Sequence, residues 1–252
     1  MSIEFVVLLL VTGLIAGIIN TLAGGGSNLT LPALMVMGMP ADVANATNRV
    51  GVLLQNLVAI KGFHKYKKLP VADVGPVLLP TLLGGLLGAL AAACAPSGIL
   101  KPLLLGSMLT MTVIILVKPD VIMPPPGTQP YRVKDRPWSW FWLGLAGFYG
   151  GFVQAGVGFI LITALAGSLR YDLVSTNALK VVCAFAFTVL ALIVFIAQDL
   201  VMWLPGLVLA CGAMVGAHLA VKFAINVKPV TLKWFLFVMT LLGTVAAFWV
   251  DY

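Results

Sequence analysis

Apolar residues run along this chain in stretches of about twenty, and two of these stretches are broken in the same manner. Residues 5–23 are apolar and, at about 1.5 Å per residue, reach roughly 28 Å as a helix, just enough to cross a bilayer. They run into Gly24, Gly25 and Gly26, and the next apolar piece, 29–39, is too short to span and contains Pro32. The pair reads as a hairpin that dips into the membrane and returns. Asp42 stands where an N-cap belongs for a long helix over 43–63, which ends in the basic loop 61–68. Spans at 74–95 and 99–117 follow, joined by a Pro-Ser-Gly turn.

The proline-rich stretch 118–137 reads as an extended linker, after which the plan repeats. Residues 138–155 enter, with Trp138, Trp140 and Trp142 as an interfacial belt. Gly156 and Gly158 break the run, 159–169 is the short return, and Asp172 is the expected N-cap for a helix over 173–197. Spans at 203–224 and 231–250 complete the set. The halves align on Ala46-Thr47-Asn48 and Ser175-Thr176-Asn177, offset by 129, with a gap of about three residues needed at the glycine breaks. The expected fold is an all-α integral membrane protein of two inverted repeats. Each repeat is a glycine-broken hairpin pair plus three transmembrane helices, about eight full spans plus the hairpins. The domains are then 1–117, a cytoplasmic linker 118–137, and 138–252. Interrupted hydrophobic segments in corresponding places of two halves point to a transporter's substrate site.

Composition fixes the class. The chain of 252 residues is 61% hydrophobic and 9% charged, where soluble domains carry roughly 25% charged residues. The net charge of +7 does not indicate nucleic acid, because the basic residues sit in short loops between apolar runs. An odd number of elements per half requires opposite orientations. With the N-terminus outside, the loops 61–68, 118–137, 168–171 and 222–233 face the cytoplasm and hold twelve of the fifteen Lys and Arg. Both termini are then non-cytoplasmic in a multi-pass protein of the cell inner membrane. The start, MSIEFVVLLL, has no basic residue before its apolar run and is expected to belong to the mature protein. Cys94, Cys183 and Cys211 are expected to be small buried hydrophobes.

Three basic residues remain: Arg49, Lys101 and Lys180. Lys101 lies near a helix end and can snorkel. Arg49 and Lys180 fall about two turns inside the helix after each hairpin, where an ionisable group costs at least about 2.5–3.5 kcal/mol. No carboxylate is placed at similar depth, so two unpaired cations invite an anionic ligand. The bland alternative is that each binds backbone carbonyls freed by the hairpin breaks. Asn45, Asn48, Arg49, Val52, Gln55 and Asn56 share a helical face, and Ser175, Thr176, Asn177, Lys180 and Thr188 form a looser one. The return helices begin near Ser27–Asn28 and 158–159, bringing N–H donors beside Gly25, Gly26, Gly156 and Gly158. Asn20, Asn28, Thr30 and Gln154 can add donors or satisfy broken backbone.

An intramembrane enzyme has little support. The two histidines, His64 and His218, form no metal or catalytic motif, and a helical Ser175–Lys180 pair would point apart. His218 reads as a hydrogen-bonded packing residue. No metal, cofactor or ATP-binding motif is expected, so energy comes from a gradient, and a coupling ion, H⁺ or Na⁺, stays open, as does a homodimer.

The run LAGGGSNLTLPALMVMGMP with ATN, echoed by GFYGGFVQAGVGF with STN, resembles the sulfite exporter TauE/SafE family over essentially the whole chain. The resemblance implies permeation of sulfite, an organosulfonate or a similar sulfur-containing anion across the bacterial inner membrane. The expectation is a secondary transporter, an exporter, working by alternating access between the hairpins. A passive anion channel and a permease for another small carboxylate or inorganic anion are the alternatives.

Overall fold

A computed structural model describes residues 1–95 and 128–226. Among the described residues the chain is helical, with no strand. In chain order the helices are α1 (Ile3–Leu22), α2 (Ser27–Val36), α3 (Ala41–Lys65), α4 (Val71–Cys94), α5 (Trp138–Phe152), α6 (Val157–Ile162), α7 (Leu173–Ile196) and α8 (Trp203–Asn226). The spans expected at 99–117 and 231–250, with Lys101, lie outside the described residues. Four helices, α1, α4, α7 and α8, are long and apolar enough to cross a membrane. The molecule is a multi-pass membrane protein. Trp138, Trp140 and Trp142 stand exposed at the start of α5.

Helix ends differ in detail from the expectation. Asp172 caps α7, its carboxylate accepting from the Val174 and Ser175 amides. Asp42 does not cap α3, which starts earlier, after Pro40, and holds Asp42 in its first turn. Pro40 fixes the entry because its φ suits a helix start and it has no N–H to satisfy. The return piece of the second hairpin is a single α-turn stretch, α6, that widens into a π-helical turn over Thr163–Ser168.

The described end of the linker is docked rather than free. Val133–Asp135 form a 3₁₀ turn, Val133 is buried against Val77 and Leu143, and the Tyr131 amide donates to the Leu169 carbonyl at 2.8 Å. An apolar side chain and a backbone pairing outweigh the proline-rich tendency to stay extended.

Packing between helices rests on small residues. α1 lies on α8: a Cβ at Gly13 or Gly17 would strike the backbone at Leu209 or Ala213, and one at Gly212 or Gly216 would strike the Leu10 or Leu14 carbonyl. α4 lies on α5 in the same way, with Gly84 and Gly88 against the Gly144 and Phe148 carbonyls and Gly147 and Gly151 against those of Thr81 and Gly85. These are reciprocal small-xxx-small contacts, the form membrane helices use when lipid gives them no hydrophobic reason to associate. α3 and α7 pack on each other in the middle, α3 also on α8 and α7 also on α4. Exchanging α1–α4 for α5–α8 leaves this set of contacts unchanged.

Candidate functional site

The two hairpins break alike. At the end of α1 the amides of Ala23 and Gly24 both donate to the Ile19 carbonyl, and Gly24 turns left-handed at φ 90°. At the end of α5 the amides of Val153 and Gln154 both donate to the Tyr149 carbonyl, and Gln154 turns left-handed at φ 66°. The second break therefore begins at Gln154, with Gly156 (φ 73°) two residues later, rather than at the glycines alone. A non-glycine residue in that conformation costs roughly 1–2 kcal/mol, and tertiary contacts hold it there. The breaks touch: the Gly158 amide donates to the Gly24 carbonyl at 3.3 Å, and a Cβ on either glycine would collide with the other's backbone.

Arg49 and Lys180 are fully buried beside these breaks, and each reaches into the opposite half. The Arg49 guanidinium donates through Nη1 to the Gly150 carbonyl (2.6 Å) and through Nη2 to the Gly151 carbonyl (2.9 Å). Asn45, one turn earlier, donates to the Phe152 carbonyl at 3.1 Å, and the Phe195 ring lies 5.5 Å from the Arg49 guanidinium carbon. Lys180 Nζ donates to the Thr21 carbonyl (3.0 Å) and to Asn177 Oδ1 (2.8 Å). Each cation thus caps the C-terminal end of the other half's entering helix, where unspent carbonyls and the negative dipole end converge. Among the described residues neither cation meets a carboxylate, and the alternative of freed carbonyls describes the contacts each one makes. Those carbonyls are neutral overall, so among the described residues no opposite charge offsets the two cations. Arg49 and Lys180 are the buried charged side chains among the described residues.

The remaining candidates separate into groups. A water-sized cavity of about 10 Å³ lies between α1, the start of α2, α3 and α8, and is lined by Asn20, Gly26, Ser27, Thr30, Asn48 and Gln55 among others. Gly25 is buried in the turn above it, its carbonyl taken by the Asn28 amide at 3.1 Å. The Leu29 and Thr30 amides go to the Gly26 carbonyl, so the first turn of α2 spends part of the donor set expected for a ligand. The Phe159 amide likewise goes to the Gly156 carbonyl. Asn28 faces a separate, largely apolar groove with Leu8, Thr12 and Pro32. Thr47 accepts from the Met202 amide at 3.0 Å and anchors the start of α8, while Thr176 donates to the Tyr171 carbonyl at 3.2 Å. Ser175 is half-buried in the first turn of α7. Gln154 Nε2 donates to Thr188 Oγ1 at 3.0 Å, leaving Oε1 buried without a partner. Asn177 Nδ2, Thr21 Oγ1, Arg49 Nε and Gln55 Nε2 are buried and unpartnered too.

Ser27 was not singled out as a ligand by sequence, although its place directly after three glycines is the signal that finds it. The six-residue face from Asn45 to Asn56 is buried throughout. His218, Cys94 and Cys211 are exposed on outer helix faces rather than packed, and only Cys183 is buried. At the expected cytoplasmic end, burial and a hydrogen bond and charge from Asp73 push the Tyr171 phenol well above its ordinary range.

A family model described as sulfite exporter TauE/SafE matches residues 9–247. The chain belongs to that family. Among similar proteins, a probable membrane transporter protein of Haemophilus influenzae is 26% identical, over 96% of this chain and 94% of its own length. Probable membrane transporter protein ORF9 of Sinorhizobium is 26% identical over 86% of this chain and 82% of its own. Probable membrane transporter protein YfcA of Escherichia coli K12 is 26% identical over 84% and 78%.

Proposed function

We propose that this protein is a secondary transporter of a small sulfur-containing anion, sulfite or an organosulfonate, exporting it across the inner membrane by alternating access. The observation that carries the reading is the pair of buried cations at the meeting point of two broken hairpins, whose hydrogen bonds among the described residues go to neutral carbonyls and amides. Net positive charge in a low-dielectric interior is costly, and a mobile anion entering beside it offsets that cost. The family and the names of its relatives support transport.

In this reading the two halves are inverted repeats, and the reciprocal helix contacts support it. Each half grips the other's hairpin through its cation, so a rocking of one half moves both breaks together. Asn48, Gln55, Asn20 and the Gly26 turn contact the substrate from the first half, with Asn177, Gln154 and Gly156 on the second. Thr47, Thr176 and Ser175 position helices.

The test is flux of sulfite and methanesulfonate in proteoliposomes holding the full chain. Saturable uptake driven by a substrate or ion gradient is expected for the wild type, with a loss of at least tenfold in Lys180→Gln at unchanged folding. Non-saturating flux would establish the channel instead, and no flux of any small anion would overturn transport.

A further inference from the structure

Arg49 and Lys180 are both buried cations, but only one of them can lose its charge. A guanidinium keeps its proton at any working pH, whereas a lysine can also exist as the neutral amine. The surroundings of Lys180 Nζ accommodate that amine. Among the described residues two acceptors meet Nζ, the Thr21 carbonyl at 3.0 Å and Asn177 Oδ1 at 2.8 Å. An ammonium brings three hydrogens to those two acceptors, while an amine brings two hydrogens and a lone pair. The same two residues carry spare donors, since Thr21 Oγ1 and Asn177 Nδ2 are buried without partners. The helices packed on α7 are α3, α4, α5, α6 and α1. The titratable or charged groups inside the bundle with Lys180 are Arg49 on α3, Cys183 on α7 and the half-buried Tyr149 on α5, whose hydroxyl donates to the Ala155 carbonyl. Neither α4, α6 nor α1 adds one there: Asp73 and Glu4 stand in first turns, as does Asp42 of α3. The remaining ones on α3 are at its exposed end.

We propose that Lys180 is a proton-carrying site, protonated while an anion is bound and neutral when the site is empty, so that one proton travels with each anion. This rests on the anion-transport reading and names its coupling ion. With an anion present, the third Nζ hydrogen has an acceptor and the ammonium has an opposite charge beside it. Once the anion leaves, that offset is gone and two uncompensated cations in a low-dielectric interior are costly. One Nζ–H bond then breaks, its electron pair stays on nitrogen, and the proton passes to water of the compartment the anion enters. As an amine, Nζ keeps its bonds to the Thr21 carbonyl and Asn177 Oδ1. Water on the opposite side returns a proton as the next anion binds. Arg49 stays charged throughout and takes no part in the exchange.

Methanesulfonate is the probe, because its acid is strong and any proton that accompanies it belongs to the protein. Proteoliposomes holding the full chain and a lumenal pH dye are given a methanesulfonate gradient, with the voltage clamped by potassium and valinomycin. Wild type is expected to acidify the lumen by one proton for each anion taken up. Lys180→Arg keeps the charge and cannot release it, so the flux it retains is expected to carry no protons. Calorimetric titration in two buffers of different ionisation enthalpy reads the same event at equilibrium. Methanesulfonate binding at pH 8 is expected to take up a proton in wild type and none in Lys180→Arg. Flux without protons in wild type, or with the wild-type ratio in Lys180→Arg, overturns the proton site and keeps the transporter. Proton-linked binding without flux keeps the site and overturns the transporter, and neither binding nor flux overturns both. If Lys180→Arg does not fold, the wild-type ratio decides alone.

Discussion

At Arg49 the planar fork of the guanidinium decides what the residue can do. Two nitrogens reach two successive carbonyls, Gly150 and Gly151, which a single ammonium cannot serve in the same geometry. Arg49→Lys is therefore expected to lower stability by about 1.5–3 kcal/mol, the range for one hydrogen bond to a charged group, read as a drop in the melting midpoint in detergent. Lys180→Met should cost at least as much, because one buried carbonyl and one buried amide oxygen both lose their donor. Tyr171 gives a pH signature. Its buried phenol has a raised pKa, so the folded state holds the proton more tightly than the unfolded one. That stabilisation is complete below the ordinary value of 10.0 and is lost as pH climbs above it. Thermal melts at pH 9, 10 and 11 should fall more steeply for wild type than for Tyr171→Phe; parallel curves would remove Tyr171 from the alkaline limb.

For the helices, close approach matters more than side-chain volume. α5 meets α4 through Gly147 and Gly151, whose missing Cβ atoms leave room for the Thr81 and Gly85 carbonyls. Gly147→Leu is expected to separate the pair and prevent a monodisperse protein in detergent, seen as aggregation in size exclusion. Gly75 meets nothing within 4 Å, so Gly75→Ala should be neutral or stabilising by about 0.5–1 kcal/mol through helix propensity. If both substitutions behave alike, the glycine contacts are not what holds α4 to α5. These small-residue pairs are visible in the sequence as Gly13-xxx-Gly17 and Gly84-xxx-Gly88. Their partners are not, since nothing local says which helix each stripe meets.

Across the whole molecule, each half completes the other. Arg49 closes the hairpin of the second half, Lys180 closes that of the first, and the breaks share the Gly24–Gly158 contact. Gly158→Ala should disturb both hairpins at once, lowering the melting midpoint more than Gly38→Ala, which is strained but meets nothing. The proposed inversion makes a sidedness prediction. In a chain lacking its native cysteines, Lys67→Cys and Arg170→Cys should react with an impermeant thiol reagent only from the cytoplasmic face, and Asp199→Cys only from outside. Labelling of all three from one face would exclude opposite orientations.

Hydrophobic run lengths alone determined the described spans, because a bilayer demands a fixed length of apolar helix whatever its neighbours are. The glycine interruptions likewise located the first break, and the depth of Arg49 and Lys180 marked them as buried charges before any contact was known. Periodicity placed Asn48, Gln55 and their neighbours on one face. What tertiary structure decided is where those polar groups send their hydrogen bonds. Arg49 meets Gly150 across 101 residues and Lys180 meets Thr21 across 159. Carbonyls at a helix end look the same in sequence as those within it, so no local pattern could assign these partners. The same limit hid the left-handed turn at Gln154, a conformation its own sequence disfavours and only its surroundings, Thr188 among them, hold in place.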